Sequence, residues 1–375
     1  MQKKFVSTLP VFVATALAAA NLAAAQQSGN GNCQGNDPKC RPAKAFNQGE
    51  ELAAGQLPAA YNAPARIDVR GSWDLFADAS YILWQPTQDN MEFAAVARTG
   101  SSVTGDSSGK SSVVGLNPTF RSGFKVGAGV NFDHDNWTNW AEYTWFRSST
   151  TRSVTDTTNG LVAAILLHPS NNSHAYRSAG AKWKVRMDLV DWALGRAAYV
   201  GTNLTMLPYM GARAAFIRQS YNLDYVRHSN AQRTSAAYVQ HSWGVGLEAG
   251  LRTNWLLGMG FRMFNEIEAD LLFTRYKTSA QTFNTDTPPV QVINTSESNL
   301  DTVRPHLDLE FGFGYGTYFD NQNWHIDLAL GYGFQVFWDQ NMFTRFYDDI
   351  ARFASLRDIG NLYIQGMTFT ARLDF

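Results

Sequence analysis

The stretch "GMTFTARLDF", residues 366–375, ends the sequence on a regular alternation of apolar and polar side chains. Its apolar residues, from Met367 to Phe375, all share one parity. Successive side chains of a β-strand point to opposite faces, so this segment has one apolar face and one polar face. Chain ends usually fray unless a larger structure holds them. The alternation therefore predicts a last strand that is built into a sheet.

The same alternation recurs upstream, and ten strands are predicted in all. The predicted strands begin near Trp73, Phe120, Trp137, Trp183, Leu204, Trp243, Phe261, Leu307, Trp324 and Met367. Strands of soluble proteins average about 5 to 6 residues, and these are more than twice as long. A strand that crosses a membrane needs about 9 to 11 residues. A soluble β-sandwich is the alternative, since alternation by itself fits any half-buried antiparallel sheet.

The connections favour the membrane interpretation. Short turns are expected near 134–136, 195–203, 256–260 and 319–323. Longer loops are expected at 85–118, 149–180, 219–239, 276–303 and 339–360. Short turns at one rim and long loops at the other are typical of an outer-membrane barrel, with the long loops outside the cell. The predicted fold is all-β, a transmembrane antiparallel up-and-down barrel of ten strands. Twelve remain open, because a hairpin around 91–96 and 113–116 could add two.

Tryptophan gives an independent indication. Indole rings prefer the boundary between lipid and water, so a barrel is expected to carry two aromatic belts. The belt predicted near the short turns contains Trp73, Trp137, Trp255 and Trp324. The belt predicted near the long loops contains Trp84, Trp145, Trp183, Trp243 and Trp338.

Composition excludes other classes. Charged residues are 17% of the chain and the formal net charge is −1, which gives no reason to expect nucleic-acid binding. Beyond the first 25 positions, the sequence has no apolar run of about 18 residues, so a helical membrane protein is not expected.

The N-terminus has the organisation of a secretory signal peptide. Lys3 and Lys4 precede an apolar run, and small residues at 23–25 offer a cleavage site before Gln26. The predicted organisation is a signal peptide at 1–25, a flexible periplasmic extension at 26–68 and the barrel at 69–375.

Both cysteines lie in the predicted extension, in "NCQGNDPKCRP". In an exported protein, Cys33 and Cys40 favour a small local disulfide over a metal site, because two thiolates cannot complete a zinc shell. A disulfide between two chains is the open alternative.

Three stretches resemble a known family. "RGSWDLFADASYILWQPTQDNMEFA" (70–94), "LPYMGARAAFIRQSY" (207–221) and "WGVGLEAGLRTNW" (243–255) are similar to strands of the Legionella-type pore-forming outer-membrane proteins, which are related to chlamydial major outer membrane proteins. The last strand also resembles the assembly signal of outer-membrane barrels, carried here by Phe369, Leu373 and Phe375. The resemblance implies a porin-like β-barrel in the outer membrane of a Gram-negative bacterium, inserted by the outer-membrane assembly machinery.

The polar parity is expected to face the lumen. The acids predicted there are Asp74, Asp78, Glu142, Asp188, Glu248, Glu266, Glu268, Asp270, Asp308, Glu310, Asp327 and Asp374. The bases are Arg121, Lys125, Lys184, Arg186, Arg213, Arg252, Arg262, Arg304 and Arg372, with His306 beside them. Such groups either brace the wall as ion pairs or set ion selectivity, with at most a weak preference for cations.

Barrel width limits the pore. Eight strands leave an interior just filled by side chains, and about 16 to 18 leave an open channel. Ten strands predict a narrow or gated passage, which lumenal glycines are expected to widen and inward-folding loops to constrict.

The predicted function is passive diffusion of ions or small solutes through the bilayer-embedded barrel, with a structural surface role and homo-oligomers left open. No cofactor is expected. The alternatives are a loop-based adhesin or a hydrolase at the outer rim. For a hydrolase, His306 with Asp308 is the best pair, because residues i and i+2 share a face. A wall ion pair with Arg304 is the favoured interpretation of His306, so a non-enzymatic protein is predicted.

Overall fold

The structure is a computed structural model that describes residues 65–70, 73–97, 111–132, 135–155, 161–167, 176–228, 231–284, 291–347, 354–357 and 359–375. The strands of these residues, numbered along the chain, are β1 (Leu75–Gln88), β2 (Ala94–Ala97), β3 (Ser111–Val114), β4 (Arg121–Asn131), β5 (Trp137–Thr155), β6 (Leu161–Ala164), β7 (Tyr176–Arg196), β8 (Ala198–Tyr199), β9 (Leu204–Arg227), β10 (Arg233–Gly258), β11 (Phe261–Asn284), β12 (Gln291–Phe319), β13 (Trp324–Asn341), β14 (Thr344–Tyr347), β15 (Ala354–Arg357) and β16 (Gly360–Asp374). No helix long and apolar enough to cross a membrane occurs in the described residues.

Ten of these strands form a closed antiparallel barrel, as the sequence predicts. Their order around the wall is β1, β4, β5, β7, β9, β10, β11, β12, β13 and β16. The last strand then pairs with the first, from Phe76 opposite Asp374 to Gln88 opposite Leu362. Closure leaves no unpaired edge along these strands, which explains why the alternation continues to the end of the chain.

One end of the barrel, here the turn rim, carries the tight connections. Asp135 and Asn136 have positive φ between β4 and β5, and Asp320 has positive φ between β12 and β13. Asn and Asp tolerate this left-handed conformation better than most residues because their short side chains bond to nearby backbone. Both ends of the closed sheet, Leu75 and Phe375, also lie at this rim.

The opposite end, here the loop rim, differs from the prediction in detail. Strands β9 and β10 extend to Arg227 and from Arg233, so most of the predicted loop 219–239 is a long β-hairpin. Most of the predicted loop 276–303 likewise belongs to β11 and β12. The backbone hydrogen bonds of these strands continue past the band that the apolar alternation marks. The ladder does not depend on side-chain polarity, so polar residues continue the strands where the barrel leaves the lipid.

The hairpin suspected in the first long loop exists, but it does not enlarge the barrel. Strand β2 pairs with β3 on one side and with β6 on the other. Strand β6 meets β7 through the pair Val162 and Tyr176, beyond the point where β5 ends. The three short strands therefore form a small sheet at the loop rim, and the barrel keeps ten strands.

The outward face carries the apolar parity through the middle of the barrel. Six of the predicted belt residues lie on this parity and are exposed or partly exposed: Trp73, Trp137, Trp145, Trp243, Trp255 and Trp324. Trp338 is partly exposed beside the irregular end of β13. Trp243 and Trp255 both lie on β10, twelve residues apart. At about 3.3 Å per residue and a tilt of about 40°, they span roughly 30 Å, near the height of a membrane band.

Two predicted belt residues are not in a belt. Trp84 and Trp183 point inward, with exposed fractions of 3% and 1%. The indole N–H of Trp183 donates to Gln219 Oε1 at 3.1 Å. The tryptophan count alone could not separate these interior rings from the belt rings.

The prediction for β7 is wrong in its outer half. Val185, Met187 and Leu189 point inward, whereas Arg186 and Asp188 point outward. The same inversion turns Lys184 outward. Near the turn rim the strand keeps the expected sense, with Asp191 buried inside and Trp192 exposed outside. The polarity inverts because the inside of the barrel becomes apolar near the loop rim while the outside becomes aqueous.

The segment that precedes β1 contacts the barrel. Residues 65–70 lie against the turn rim, where the amide of Ala65 donates to Ala197 O and the amide of Arg70 donates to Gln322 O. Residues 65–68 are thus attached to the barrel. The signal peptide, the rest of the extension, Cys33 and Cys40 lie outside the described residues and stay predictions.

Candidate functional site in the barrel lumen

The half of the lumen nearer the turn rim encloses a polar cavity of about 270 Å³. Its acids are Asp78, Glu142, Asp191, Glu248, Glu266, Glu268, Asp308, Glu310 and Asp327, and its cationic side chains are Arg66, Lys125, Arg213, Arg252, Arg262 and Arg372. Nine carboxylates thus face six cationic groups. The alternation of the strands places all of them except Arg66 here, because the polar parity of every barrel strand points inward at this level. Arg66 comes from the segment 65–70 at the turn rim.

Arg213 on β9 is the centre of this charge network. Its side chain is 5% exposed, and its Nε donates to Asp191 Oδ1 at 2.5 Å. Its Nη1 donates to Asp270 Oδ2 at 2.9 Å, and its Nη2 contacts Glu268. Glu248 Oε2 is 3.8 Å from the Nε. Four carboxylates from β7, β10 and β11 therefore converge on one guanidinium, which compensates only part of their charge.

His306 belongs to this network and not to either of the predicted pairs. Its Nδ1 lies 2.7 Å from Asp270 Oδ2 and 3.0 Å from Arg213 Nη1. Asp270 faces His306 directly across the β11 and β12 pair, and Phe337 packs on the imidazole at 4.0 Å between ring centroids. Asp308 instead accepts a hydrogen bond from Gln335 at 2.7 Å. The i, i+2 spacing identified residues on one face, but cross-strand register decides which ones touch.

Arg304 lies closer to the loop rim than the cavity. It pairs with Asp339 at 2.5 Å on β13, and its Nη2 lies 3.8 Å from Met342 Sδ. It therefore braces the end of the barrel, and within the described part of the chain it forms neither an ion pair nor a hydrogen bond with His306.

Glu268, Asp270 and His306 could offer one ligand atom each to a metal ion, since these atoms lie within 4.8 Å of one another. The guanidinium of Arg213 already contacts all three residues. A metal ion at this position would have to displace it, so the donor set fits a built-in cation better than a metal.

Two further ion pairs lie nearer the turn rim. Arg252 and Glu266 face each other across β10 and β11 and are joined at 2.9 Å. Arg262 reaches over β12 to Asp327 on β13, with its Nη2 at 2.7 Å from Oδ1. In these pairs a cationic side chain neutralises a carboxylate, which lowers the cost of placing so many charged side chains inside a narrow barrel.

Tyr209 is an interior residue to which the sequence assigned no role. Its hydroxyl lies 2.9 Å from Glu266 Oε1 and 3.0 Å from Glu268 Oε2. The phenol ring covers Gly250, which faces it directly across β9 and β10. This arrangement follows from the register between neighbouring strands, and a single sequence does not predict that register.

The lumenal glycines do not widen the passage. A Cβ atom at Gly314 would lie 2.7 Å from Cζ of Arg262, and one at Gly127 would lie 2.8 Å from Oδ2 of Asp78. The space over these glycines is thus filled by long side chains from neighbouring strands. The prediction of a wider pore is wrong for this reason.

Above the Arg213 network the inner wall is apolar and densely packed. The wall residues of this layer are nearly inaccessible and include Ile82, Phe146, Met187, Ile217, Leu272 and Phe337. Residues from the connections at the loop rim join the same cluster: Met91, Phe93, Ala94, Val162, Ala164, Leu166, Leu167 and Phe343. Here we call these connecting residues the plug.

The plug is held by hydroxyl groups of the wall. Tyr225 donates to the carbonyl of Phe93 at 2.6 Å, and Tyr221 donates to the carbonyl of Met91 at 2.9 Å. Tyr238 donates to the carbonyl of Leu166. The apolar layer above the polar cavity is therefore completed by loop segments that are bound to the wall through a few specific contacts.

The connection after β13 is fixed in a similar way. The side-chain amide of Gln240 donates to the carbonyl of Gln340 at 2.6 Å, and its carbonyl oxygen accepts from the amide of Met342 at 2.9 Å. Gln340 in turn donates to Ser242 Oγ at 2.8 Å. These bonds place Phe343 against Tyr221 and Tyr238.

A closed barrel of ten antiparallel strands, with short turns at one rim, an apolar outward band and a charged interior, defines an outer-membrane β-barrel protein. The family profile described as "Legionella pneumophila major outer membrane protein precursor" matches residues 68–375. The chain belongs to this family, which confirms the resemblance, and it is a protein of the Gram-negative outer membrane. The turn rim is accordingly periplasmic and the loop rim extracellular.

Solved structures show remote likeness. The outer membrane protease OmpT from Escherichia coli is 10% identical, with 80% of this chain and 96% of that chain covered and a TM-score of 0.40. A Pseudomonas aeruginosa FadL homologue is 8% identical over 80% and 90% of the two chains, with a TM-score of 0.25. The Pseudomonas putida toluene transporter TodX is 10% identical over 80% and 89%, with a TM-score of 0.22. No curated protein matches the sequence. Likeness this remote says nothing about what the chain transports or cleaves.

Proposed function

We propose that this protein is a porin-like channel for ions or small hydrophilic solutes, and that the described conformation is its closed state. The observation that carries the proposal is the polar cavity of about 270 Å³ near the turn rim, together with the apolar layer of wall side chains and plug residues that lies between it and the loop rim. A loop segment can move away without breaking the barrel, whereas a wall strand cannot.

The charges of the cavity support a preference for cations. Nine carboxylates and six cationic groups line it, so the formal excess is negative. A narrow lumen with low-dielectric walls focuses the field of such groups, which raises the local concentration of ions of the opposite sign. Several carboxylates are already paired with arginines, and the expected selectivity is therefore modest.

The hydrogen bonds from the tyrosine hydroxyls to the plug allow the opening of the channel to be tested. Each of the bonds from Tyr221, Tyr225 and Tyr238 contributes about 1 kcal/mol to holding the plug. Losing all three favours the open state by about 3 kcal/mol, or roughly 100-fold in the equilibrium. The apolar contacts of the plug would remain, so the variant is expected to open more often without losing its fold.

Planar bilayer recordings test the proposal. The wild-type protein is expected to open rarely, and the variant Tyr221→Phe/Tyr225→Phe/Tyr238→Phe is expected to open much more often. Tyr143→Phe is the matched control, because Tyr143 donates to Asp188 on the outward face and not to the plug. If neither wild type nor the triple variant gave conductance steps above background, the channel proposal would be lost.

We also propose that the protein is not an enzyme. The imidazole of His306, the strongest candidate for general acid or base catalysis, is fully buried between Asp270, Arg213 and Phe337. A hydrolase at the outer rim needs a histidine that a substrate can reach. Peptidase or lipase activity that disappears in His306→Ala, with the barrel still folded, would contradict this.

A further inference from the structure

A row of basic side chains crosses five neighbouring strands on the outward face of the barrel. Register places Arg147 of β5 opposite Arg186 of β7, and Arg186 opposite Arg218 of β9. Arg218 is opposite His241 of β10, and His241 is opposite Lys277 of β11. All but Arg147 are exposed, and Arg147 is partly exposed. We call these five residues the basic row.

Most of the basic row lacks a paired carboxylate within the described part of the chain. Arg147 pairs with Asp188 at 2.7 Å. No described carboxylate forms an ion pair with Arg186, Arg218 or Lys277. Like charges directly opposite each other in a sheet are destabilising. Arg186 and Arg218, which face each other directly and have no described carboxylate, therefore indicate an anionic partner outside the described part of the chain.

The position of the row identifies the kind of partner. The row of residues one step closer to the membrane, in the same register, is Trp145, Asp188, Phe216, Trp243 and Arg275. Its aromatic members mark the extracellular lipid boundary, where indole rings prefer to lie. Two residues further along a strand is about 6 to 7 Å. Because the strands are tilted by about 40°, successive members of a row in register differ in depth by about 3 Å. The basic row therefore rises obliquely over about 12 Å beside the aromatic members and crosses the depth of the phosphate groups of the outer leaflet.

We propose that the basic row binds the phosphate groups of lipid A, the phosphorylated glycolipid of the outer leaflet. The row spans four strand spacings of about 4.8 Å, or roughly 19 Å, which suits a headgroup with separated phosphates better than a single anion. The guanidinium groups of Arg186 and Arg218 can each donate two parallel hydrogen bonds to a phosphate. This inference rests on the outer-membrane location and does not depend on the channel.

The test uses folded protein in nonionic detergent and measures lipid binding by native mass spectrometry and by the temperature at which the barrel unfolds. The probes are bisphosphorylated lipid A, lipid A without phosphates, and inorganic phosphate. Bisphosphorylated lipid A is expected to bind and to raise the unfolding temperature of wild type. Arg186→Gln/Arg218→Gln/Lys277→Gln is expected to bind it at least tenfold more weakly. Arg177→Gln, an exposed arginine on β7 far above the row, is the charge control and is expected to bind as wild type does.

A second readout separates lipid binding from a structural role. Without lipid, the triple variant is expected to be as stable as wild type or more stable, because it relieves repulsion between neighbours. The proposal is overturned if the triple variant binds lipid A as wild type does, or if lipid A without phosphates binds equally well. Equal stabilisation by inorganic phosphate at the same phosphate concentration would also overturn it, since the site would then be a general anion site. Should the triple variant fail to fold, single Arg218→Gln and the three probes on wild type decide the question.

Discussion

Leu75 and Phe375 close the barrel by exchanging both of their backbone hydrogen bonds. The amide of Phe375 donates to Leu75 O at 2.9 Å, and the amide of Leu75 donates to Phe375 O at 3.1 Å. The ring of Phe375 also packs on Trp324 of β13, with 5.7 Å between the ring centroids. The terminal residue is thus the last link of the β1 and β16 seam.

Deleting Phe375 is expected to impair insertion more than stability. The folded barrel would lose one closing pair among the many of the β1 and β16 ladder. The assembly machinery would lose the aromatic end of the signal that this strand resembles. Surface labelling of cells measures the first effect, and urea unfolding of the small inserted fraction measures the second. Normal surface levels of the truncated protein would contradict this prediction, and Trp324→Leu, which keeps the terminus intact, is the control for the lost ring contact.

The strands and their closure could be predicted from sequence because alternation is a local property. The polarity of Phe369 and Arg372 shows, within a few residues, which face of the strand each one occupies. The register then places Arg372 opposite Asp78. The contact between His306 and Asp270 could not be predicted in this way, since it depends on how β11 and β12 align. The inward position of Trp183 was missed for a different reason. Near the loop rim the apolar environment is the plug inside the barrel and not the lipid outside it. The apolar parity of the alternation therefore points inward there.

Removing the central guanidinium is expected to destabilise the barrel strongly. Arg213→Met leaves Asp191, Glu268 and Asp270 buried without their shared cation, and loss of one partner of a buried pair costs about 3 to 5 kcal/mol. Urea unfolding in vesicles is the measurement. Arg275→Met is the matched control, because Arg275 pairs with Asp301 on the exposed surface and little change is expected. Equal stability of Arg213→Met and wild type would show that the network does not brace the wall.

Replacing an interior tryptophan is expected to lower the free energy of unfolding more than replacing a tryptophan on the outward face. Trp183→Ala removes a ring that is 1% exposed, leaves Gln219 without its donor and should cost about 3 to 5 kcal/mol. Trp243→Ala removes a ring that is 40% exposed on the outward face, and a smaller loss is expected. Quenching by brominated lipid gives an independent measurement. Trp243→Ala should lower the quenchable fluorescence, and Trp183→Ala should leave it unchanged; the reverse result would place the two rings on the opposite faces.

Replacing a lumenal glycine by alanine is expected to lower the free energy of unfolding. A Cβ atom at Gly211 would lie 2.8 Å from Cα of Ala193 and 2.9 Å from Glu248 Oε1. Because the neighbouring strand cannot move away, Gly211→Ala should cost about 1 to 3 kcal/mol by overpacking. Gly180→Ala on β7 is the control, since its nearest neighbour would be 3.8 Å away. Equal unfolding midpoints for the two variants would refute the view that these glycines accommodate their neighbours.

The most direct test of the central claim is the reversal potential of single channels under a KCl gradient of about tenfold. The acidic cavity predicts a modest cation preference, and Glu248→Gln/Glu310→Gln is expected to reduce it without changing the frequency of opening. The plug predicts that Tyr221→Phe/Tyr225→Phe/Tyr238→Phe opens far more often than wild type with the same reversal potential. A barrel that conducts anions preferentially, or whose opening frequency does not change in the tyrosine variant, would contradict a lumen that is acidic and closed by its own loops.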